Sequence, residues 1–228
     1  MALLTLALIL FVGSHFLLSH PLRAPLVRVV GEGGFAIVYS LIAFGTLGWA
    51  VAEWRHAPVQ LLWVAADWSW WLAALLMLVA SVLFVGSMTA PNPALMGGRK
   101  TAAGPSGVQR ITRHPMMWAF AIWAAVHATL SGDLRTVILA AAIAILALVG
   151  AALQDSKKRL QLGEAWTAHE RATAFVPFGA QLAARAPWTS ASPGWTALAG
   201  GVLLYAAATW AHPALMGAPQ LGFWRMVA

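Results

Sequence analysis

Apolar residues run in long unbroken stretches along this chain, and polar residues gather between them. The first stretch is Ala2 to Ser19, the second about Gly33 to Ala52, and the third Trp68 to Ala90. A fourth starts sharply at Pro115, a good first helical residue, and ends near Ser131. The fifth covers Leu134 to Leu153 and the sixth Gly194 to Ala211. Each approaches the roughly 20 residues a helix needs to cross a bilayer. Lipid offers no water to backbone groups, so only helices or a closed barrel can cross it. Barrel strands would alternate apolar and polar over about 10 residues, whereas these runs are continuous and rich in Leu and Ala. The pattern predicts an all-α polytopic transmembrane helix bundle of about six spans, one integral membrane domain over residues 1–228.

Composition supports this. Hydrophobic residues make up 61% of the chain, charged residues only 9%, and the mean hydropathy is +0.75. A soluble domain is nearer half apolar and about a quarter charged, so lipid is the expected solvent and partner. The first stretch has no basic segment before it and no small-residue cleavage site before Pro21, and reads as a retained helix rather than a signal peptide. The absence of cysteine excludes disulfides, thiolate metal sites, iron–sulfur clusters and thiol catalysis. Thirteen Trp are present. Many of them (Trp49, Trp54, Trp63, Trp68, Trp70, Trp71, Trp188, Trp195, Trp210, Trp224) fall near the ends of apolar runs, where an amphipathic ring anchors at the headgroups.

A formal charge of +7 would suggest nucleic acid in a soluble protein, but here the basic residues are sorted by loop. One side receives Arg23, Arg28, Arg99, Lys100, Arg110, Arg113, Lys157, Lys158, Arg159, Arg171 and Arg185; the other receives Arg55, Arg135 and Arg225. The bias puts both termini on the periplasmic side of a bacterial inner membrane and implies an even number of spans. No nucleic-acid partner is expected. Two cytoplasmic stretches stand out: Pro91 to Arg113, too rich in Gly and Pro for a continuous helix, and Gln154 to Ser192. In the second, Asp155 to Trp166 looks like the fifth helix emerging into the cytosol. Gly179 to Ala186 suits a short interfacial helix.

Ionisable groups at membrane depth are the default functional candidates. Acidic residues sit only at span ends or in loops, which leaves the seven histidines. His15 falls about 7 Å inside the cytoplasmic end of the first helix, at 1.5 Å per residue. His20 ends that helix, and His114 opens the fourth on the same side. His127 lies about 20 Å further toward the periplasm, at roughly the level of His56 and His212; His169 is in the cytoplasmic stretch. Two axial histidines on one iron need nitrogens about 4 Å apart. By depth His15 with His114 meets this, His15 with His127 fits worse, and His114 with His127 cannot share an iron on a continuous helix. The alternative is that these histidines only hydrogen-bond to neighbouring helices. Arg110 and Arg113 stand with His114 at a helix N-terminus that favours anions, suited to a haem propionate, a nucleotide-like cofactor or a lipid phosphate. The alternative is that they enforce topology. Gly97, Gly98, Gly104 and Gly107 precede them without matching a phosphate-loop spacing. Gly45, Gly48 and Gly200-Gly201 offer small faces for close helix packing.

Over residues 11 to about 180 the chain resembles the NnrU family of membrane proteins, named for a role beside nitrite and nitric oxide reduction. The resemblance is carried by Phe11-Val-Gly-Ser-His15 with Pro21-Leu-Arg23, Val30-Gly-Glu-Gly-Gly-Phe-Ala-Ile-Val-Tyr39, Thr112-Arg-His-Pro-Met-Met-Trp118, Trp123-Ala-Ala-Val-His127, Ser131-Gly-Asp-Leu134, Gly163-Glu-Ala-Trp166 and Phe175-Val-Pro-Phe178. The pattern is similar to 15-cis-zeta-carotene isomerase, a haem-b membrane enzyme with histidine ligation. The resemblance implies a haem b on His15 and His114, with His127 a further family position. The Arg-His-Pro segment also looks like the isoprenylcysteine and phospholipid methyltransferases, which wrap S-adenosylmethionine. There the family's Tyr and Gly are replaced by Met117 and Ala119, and its paired glutamates by Gln154-Asp155.

The reading is therefore an inner-membrane protein holding one haem b near its cytoplasmic face. His15 and His114 are the metal ligands, and Arg110 and Arg113 pair with propionates. Its role is redox-gated isomerisation of an apolar polyene, or a part in nitrogen-oxide metabolism. The rivals are a lipid methyltransferase using Arg113, His114, Asp155 and Arg159, and a non-enzymatic accessory protein for nitrogen-oxide reductases. Catalytic residues, oligomeric state and a second site among His127, His56 and His212 are left open.

Overall fold

A computed structural model describes residues 1–94 and 104–217. Gly97, Gly98, Arg99, Lys100, Trp224 and Arg225 lie outside the described residues. The protein is helical: α1 (Ala2–Ser19), α2 (Arg23–His56), α3 (Asp67–Thr89), α4 (Pro115–Ser131), α5 (Leu134–Leu162), α6 (Glu164–Ala172), α7 (Gly179–Leu182) and α8 (Trp195–Met216), with short 3-10 turns at Gly107–Arg110 and Trp188–Ser190. Among the described residues α1, α2, α3, α5 and α8 are long and apolar enough to cross a membrane. The remaining expected span is α4, an apolar helix of 17 residues.

Helix bounds follow local chemistry. The second apolar stretch is part of a longer helix broken at Gly31, whose φ of 72° interrupts helical geometry just before the stretch begins. The fifth runs on to Leu162. It does not continue to Trp166 as the sequence suggested: Gly163, at φ 54°, ends it, and α6 starts afresh at Glu164. The expected interfacial helix at Gly179 is a single turn to Leu182, entered through Phe178 in the left-handed region.

Contacts divide the chain into two compact units. In the first, Met1–Ala65 with His127–Leu146, α1 lies against α2. Its core is Leu4, Ala7, Leu8, Ala50 and Ala57, joined by Ile138, Leu139 and Ala142. The segment after α2 is clasped to the turn before α5: Leu62 N–H donates to Gly132 O at 2.7 Å, and Leu134 N–H to Gln60 O at 2.9 Å. Gly132 is required there, since a Cβ would sit 2.0 Å from the Trp63 carbonyl oxygen at φ +59°.

In the second unit, Ala66–Val126 with the described part of Ala147–Ala228, α3 lies against α8. Gly200 and Gly201 permit the approach, because a Cβ on Gly201 would meet Val82 Cα at 2.6 Å and one on Gly200 would meet Val85 Cγ1 at 2.7 Å. Small-residue packing is the usual device between membrane helices, where lipid is as apolar as Leu. Gly45 and Gly48, assigned the same role from sequence, face open space: a Cβ on either would meet nothing within 4 Å. The core of this unit is Ala80, Leu83, Val108, Ile111, Ala119 and Ala197.

Candidate functional site

The segment leading into α4 is laced to the chain after α6. Arg113 N–H donates to Ala174 O at 2.8 Å, and Phe178 N–H to Ile111 O at 2.8 Å. The Thr112 hydroxyl and the Trp118 indole N–H both donate to Phe175 O, at 2.6 and 2.7 Å. Gln181 Nε2 donates to Arg110 O at 3.0 Å. Pro115, which has no N–H, then opens α4 with its preset φ. The effect is to hold Arg113 and His114 rigidly at the head of α4.

Both side chains converge on one carboxylate from α5. His114 Nε2 donates to Asp155 Oδ1 at 2.6 Å. Arg113 donates from Nε and Nη2 to Asp155 Oδ2, at 2.9 and 2.6 Å. The side chains of His114 and Asp155 are 2% and 4% exposed, so water supplies almost none of their partners. From α6, Glu170 approaches Arg113 Nη2 at 3.6 Å and accepts a forked pair from Arg159 at 2.9 and 2.8 Å. Phe175 walls the group, its ring 5.4 Å from that of His114 and 5.5 Å from the Arg113 guanidinium. Two guanidinium groups face two carboxylates, so the cluster is charge-balanced without an added ion. A buried charge survives only with such partners.

Beside it on α6 stand Trp166, fully buried, and His169, their rings 5.1 Å apart. Trp166 Nε1 and His169 Nε2 are buried without a hydrogen-bond partner among the described residues. Burial, with the Arg113 charge nearby, holds the His169 imidazole down at about 4. It is therefore neutral at pH 7.

The residues expected from sequence are distributed as follows. His114 and Arg113 are in the buried cluster, together with the rival set's Asp155 and Arg159. Arg110 is exposed, its Nε on Pro105 O at 3.0 Å. His15 belongs to the first unit. Its Nδ1 donates to Phe11 O at 2.7 Å, and its ring lies 4.5 Å from Phe11 and 5.3 Å from Tyr39. His127 is partly buried on α4 and also counts with the first unit. His15 and His114 thus lie in different units. Among the described residues no three His, Asp or Glu gather as a metal-binding group. Sequence reasoning missed Glu170 and His169 as members of the cluster. The available signal was the amphipathic spacing of Trp166, His169 and Glu170 on one helical turn.

For a haem iron the donor set fits in part. His114 has one ring nitrogen fixed by a carboxylate, as metal-ligating histidines do, but the nitrogen so fixed is Nε2, which leaves Nδ1 for a metal. Arg113 is engaged by Asp155 and Glu170 rather than held out for a propionate.

The family described as NnrU protein matches residues 3–220. No curated protein and no solved structure matches the chain.

Proposed function

The chain belongs to the NnrU family, and from that premise we propose that it is a bacterial inner-membrane protein that holds a haem b on the imidazole of His114. The observation that carries this is the 2.6 Å bond between His114 Nε2 and Asp155. A ring that gives its one N–H to a buried carboxylate is locked in tautomer and orientation, with its lone pair on the other nitrogen. Either imidazole nitrogen can bind a metal. Arg113 shares the same carboxylate through Nε and Nη2. When bound, haem supplies a redox-active iron, and the sequence resemblance extends its use to redox-gated isomerisation of an apolar polyene or to nitrogen-oxide metabolism.

Visible spectroscopy tests this on protein purified in detergent from haem-supplied cells. A Soret band abolished by His114→Ala is expected. Colourless wild-type protein, or an unaltered band in His114→Ala, refutes it.

Methyl transfer is a second reading with an observation of its own: Arg113, His114, Asp155 and Arg159 fall into one bonded network through Glu170. Calorimetric binding of S-adenosylmethionine by colourless protein, lost in Asp155→Asn, favours it.

A further inference from the structure

We propose that the loop over residues 178–190 docks on the bilayer surface and binds the phosphate of an anionic phospholipid through Arg185. The loop belongs to the second unit and precedes α8. Its role is independent of what His114 holds.

The loop is closed from inside. The rings of Phe178 and Trp188 stack across its ends, 5.9 Å apart. Gln181, buried, donates from Nε2 to Arg110 O at 3.0 Å and to Ser190 Oγ at 3.4 Å. The N–H groups of Arg185 and Ala186 both donate to Ala180 O, at 2.8 and 3.2 Å. Phe178 and Ala184 stand in the left-handed region, at φ 60° and 53°, a conformation that persists in such residues only where the surroundings impose it. The outer side of this fixed loop is apolar. Leu182 is 73% exposed and Trp188 60%, and Ala183, Ala184 and Pro187 between them in sequence are exposed as well.

Arg185 supplies the charge. Its Nη1 donates to Arg171 O at 2.8 Å, and among the described residues it enters no ion pair. The carboxylates of the adjoining α6 are already engaged. Glu164 pairs with Arg171 at 3.3 Å, and Glu170 pairs with Arg159 and Arg113 at 2.8 and 3.6 Å. Arg110, whose carbonyl receives Gln181, is exposed and also has no carboxylate partner among the described residues. The loop therefore joins an uncompensated guanidinium to an apolar tip.

Its complement is an anionic oxygen group with hydrocarbon attached, which a guanidinium grips in a fork. Free phosphate would leave Leu182 and Trp188 in water, and a zwitterionic headgroup carries its own cation beside the phosphate. Position favours the bilayer. The next helix, α8, starts at Trp195 and is long and apolar enough to cross a membrane. Trp188 and Trp195 suit headgroup depth, where apolar side chains and cations bind anionic lipid together.

Native mass spectrometry of the full chain, offered equal phosphatidylglycerol and phosphatidylcholine, tests this. Wild-type protein is expected to retain phosphatidylglycerol preferentially, and Arg185→Gln to lower that preference about five-fold, the scale of one arginine at an anionic surface. Arg28→Gln removes an exposed arginine of the first unit and is expected to leave the preference unchanged. Equal retention of the two lipids by wild type, or no loss in Arg185→Gln, overturns the proposal. An equal loss in both variants overturns it too, since general positive charge then accounts for the binding. Should Arg185→Gln fail to fold, hydrogen exchange of wild type replaces it. Residues 176–190 must exchange more slowly in phosphatidylglycerol nanodiscs than in phosphatidylcholine ones, and equal exchange refutes the docking.

Discussion

Replacing Asp155 by Asn removes one negative charge and keeps the side chain's shape. The carboxylate accepts three bonds, from His114 Nε2 at 2.6 Å and from Arg113 Nε and Nη2 at 2.9 and 2.6 Å. An amide has one acceptor oxygen and turns an N–H₂ toward at least one of these donors. Breaking a buried ion pair from one side destabilises by about 3–5 kcal/mol, because the remaining charge is stranded. The lower end applies here, since Arg113 keeps Glu170 at 3.6 Å and is 11% exposed. The expected loss is therefore about 3 kcal/mol, which for a chain of this length lowers the melting midpoint by roughly 6–12 °C. Thermal unfolding in one detergent, followed by tryptophan emission, measures it. The companion pair Arg113→Met and Asp155→Leu, alone and combined, isolates the coupling, expected above about 1 kcal/mol. A midpoint within 2 °C of wild type, taken here as about the scatter of such scans, together with additive double-variant effects, refutes the view that this cluster holds α4, α5 and α6 together.

His169 predicts a pH dependence. Its imidazole is held at about 4 in the fold against 6.5 when unfolded, so the unfolded chain takes up a proton first on acidification. Stability is constant above pH 6.5, falls between 6.5 and 4 by roughly 2 kcal/mol after allowing for partial exposure, and levels off below. Midpoints measured across that range should lose this component in His169→Gln; an identical slope refutes it. Gly201→Val should destabilise by about 1–3 kcal/mol or more through overpacking, because the added Cβ meets the Val82 backbone. Gly48→Ala, with open space around it, should gain up to about 1 kcal/mol of helix propensity. Equal midpoints for these two variants contradict the assigned packing.

Much of the fold was legible because the apolar runs end on strong signals. Ala2–Ser19 and Pro115–Ser131 are helices with the bounds read from sequence, one closed by His20-Pro21 and the other opened by Pro115. The extension of α2 was not legible: Arg28 and Glu32 are polar residues on a helix that starts before the lipid-length run, and hydropathy marks only the run. The extension of α5 past Asp155 was read, though its end at Leu162 was not. The head of α4 was recognised as a site from Arg113 and His114. Asp155, 42 positions beyond Arg113, was grouped with it only through the methyltransferase resemblance, and Glu170, 57 positions beyond, was missed, because nothing local links them. Depth along a helix can be counted at 1.5 Å per residue. Azimuth cannot, and azimuth turned His114 toward Asp155. The same limit explains Gly45 and Gly48: a small residue permits a close neighbour without guaranteeing one.

The separation between Arg113 and Asp155 also orders events during biogenesis. At translation rates of about 5–20 residues per second, the carboxylate follows the guanidinium out of the ribosome by roughly 2–8 seconds. In that interval Arg113 has neither Asp155 nor Glu170 to pair with. Once α5 and α6 arrive, the same charge is cancelled and withdrawn from water. The buried tie is thus completed only after α5 and α6 are made, and a variant lacking Asp155 would fail to consolidate at that late step.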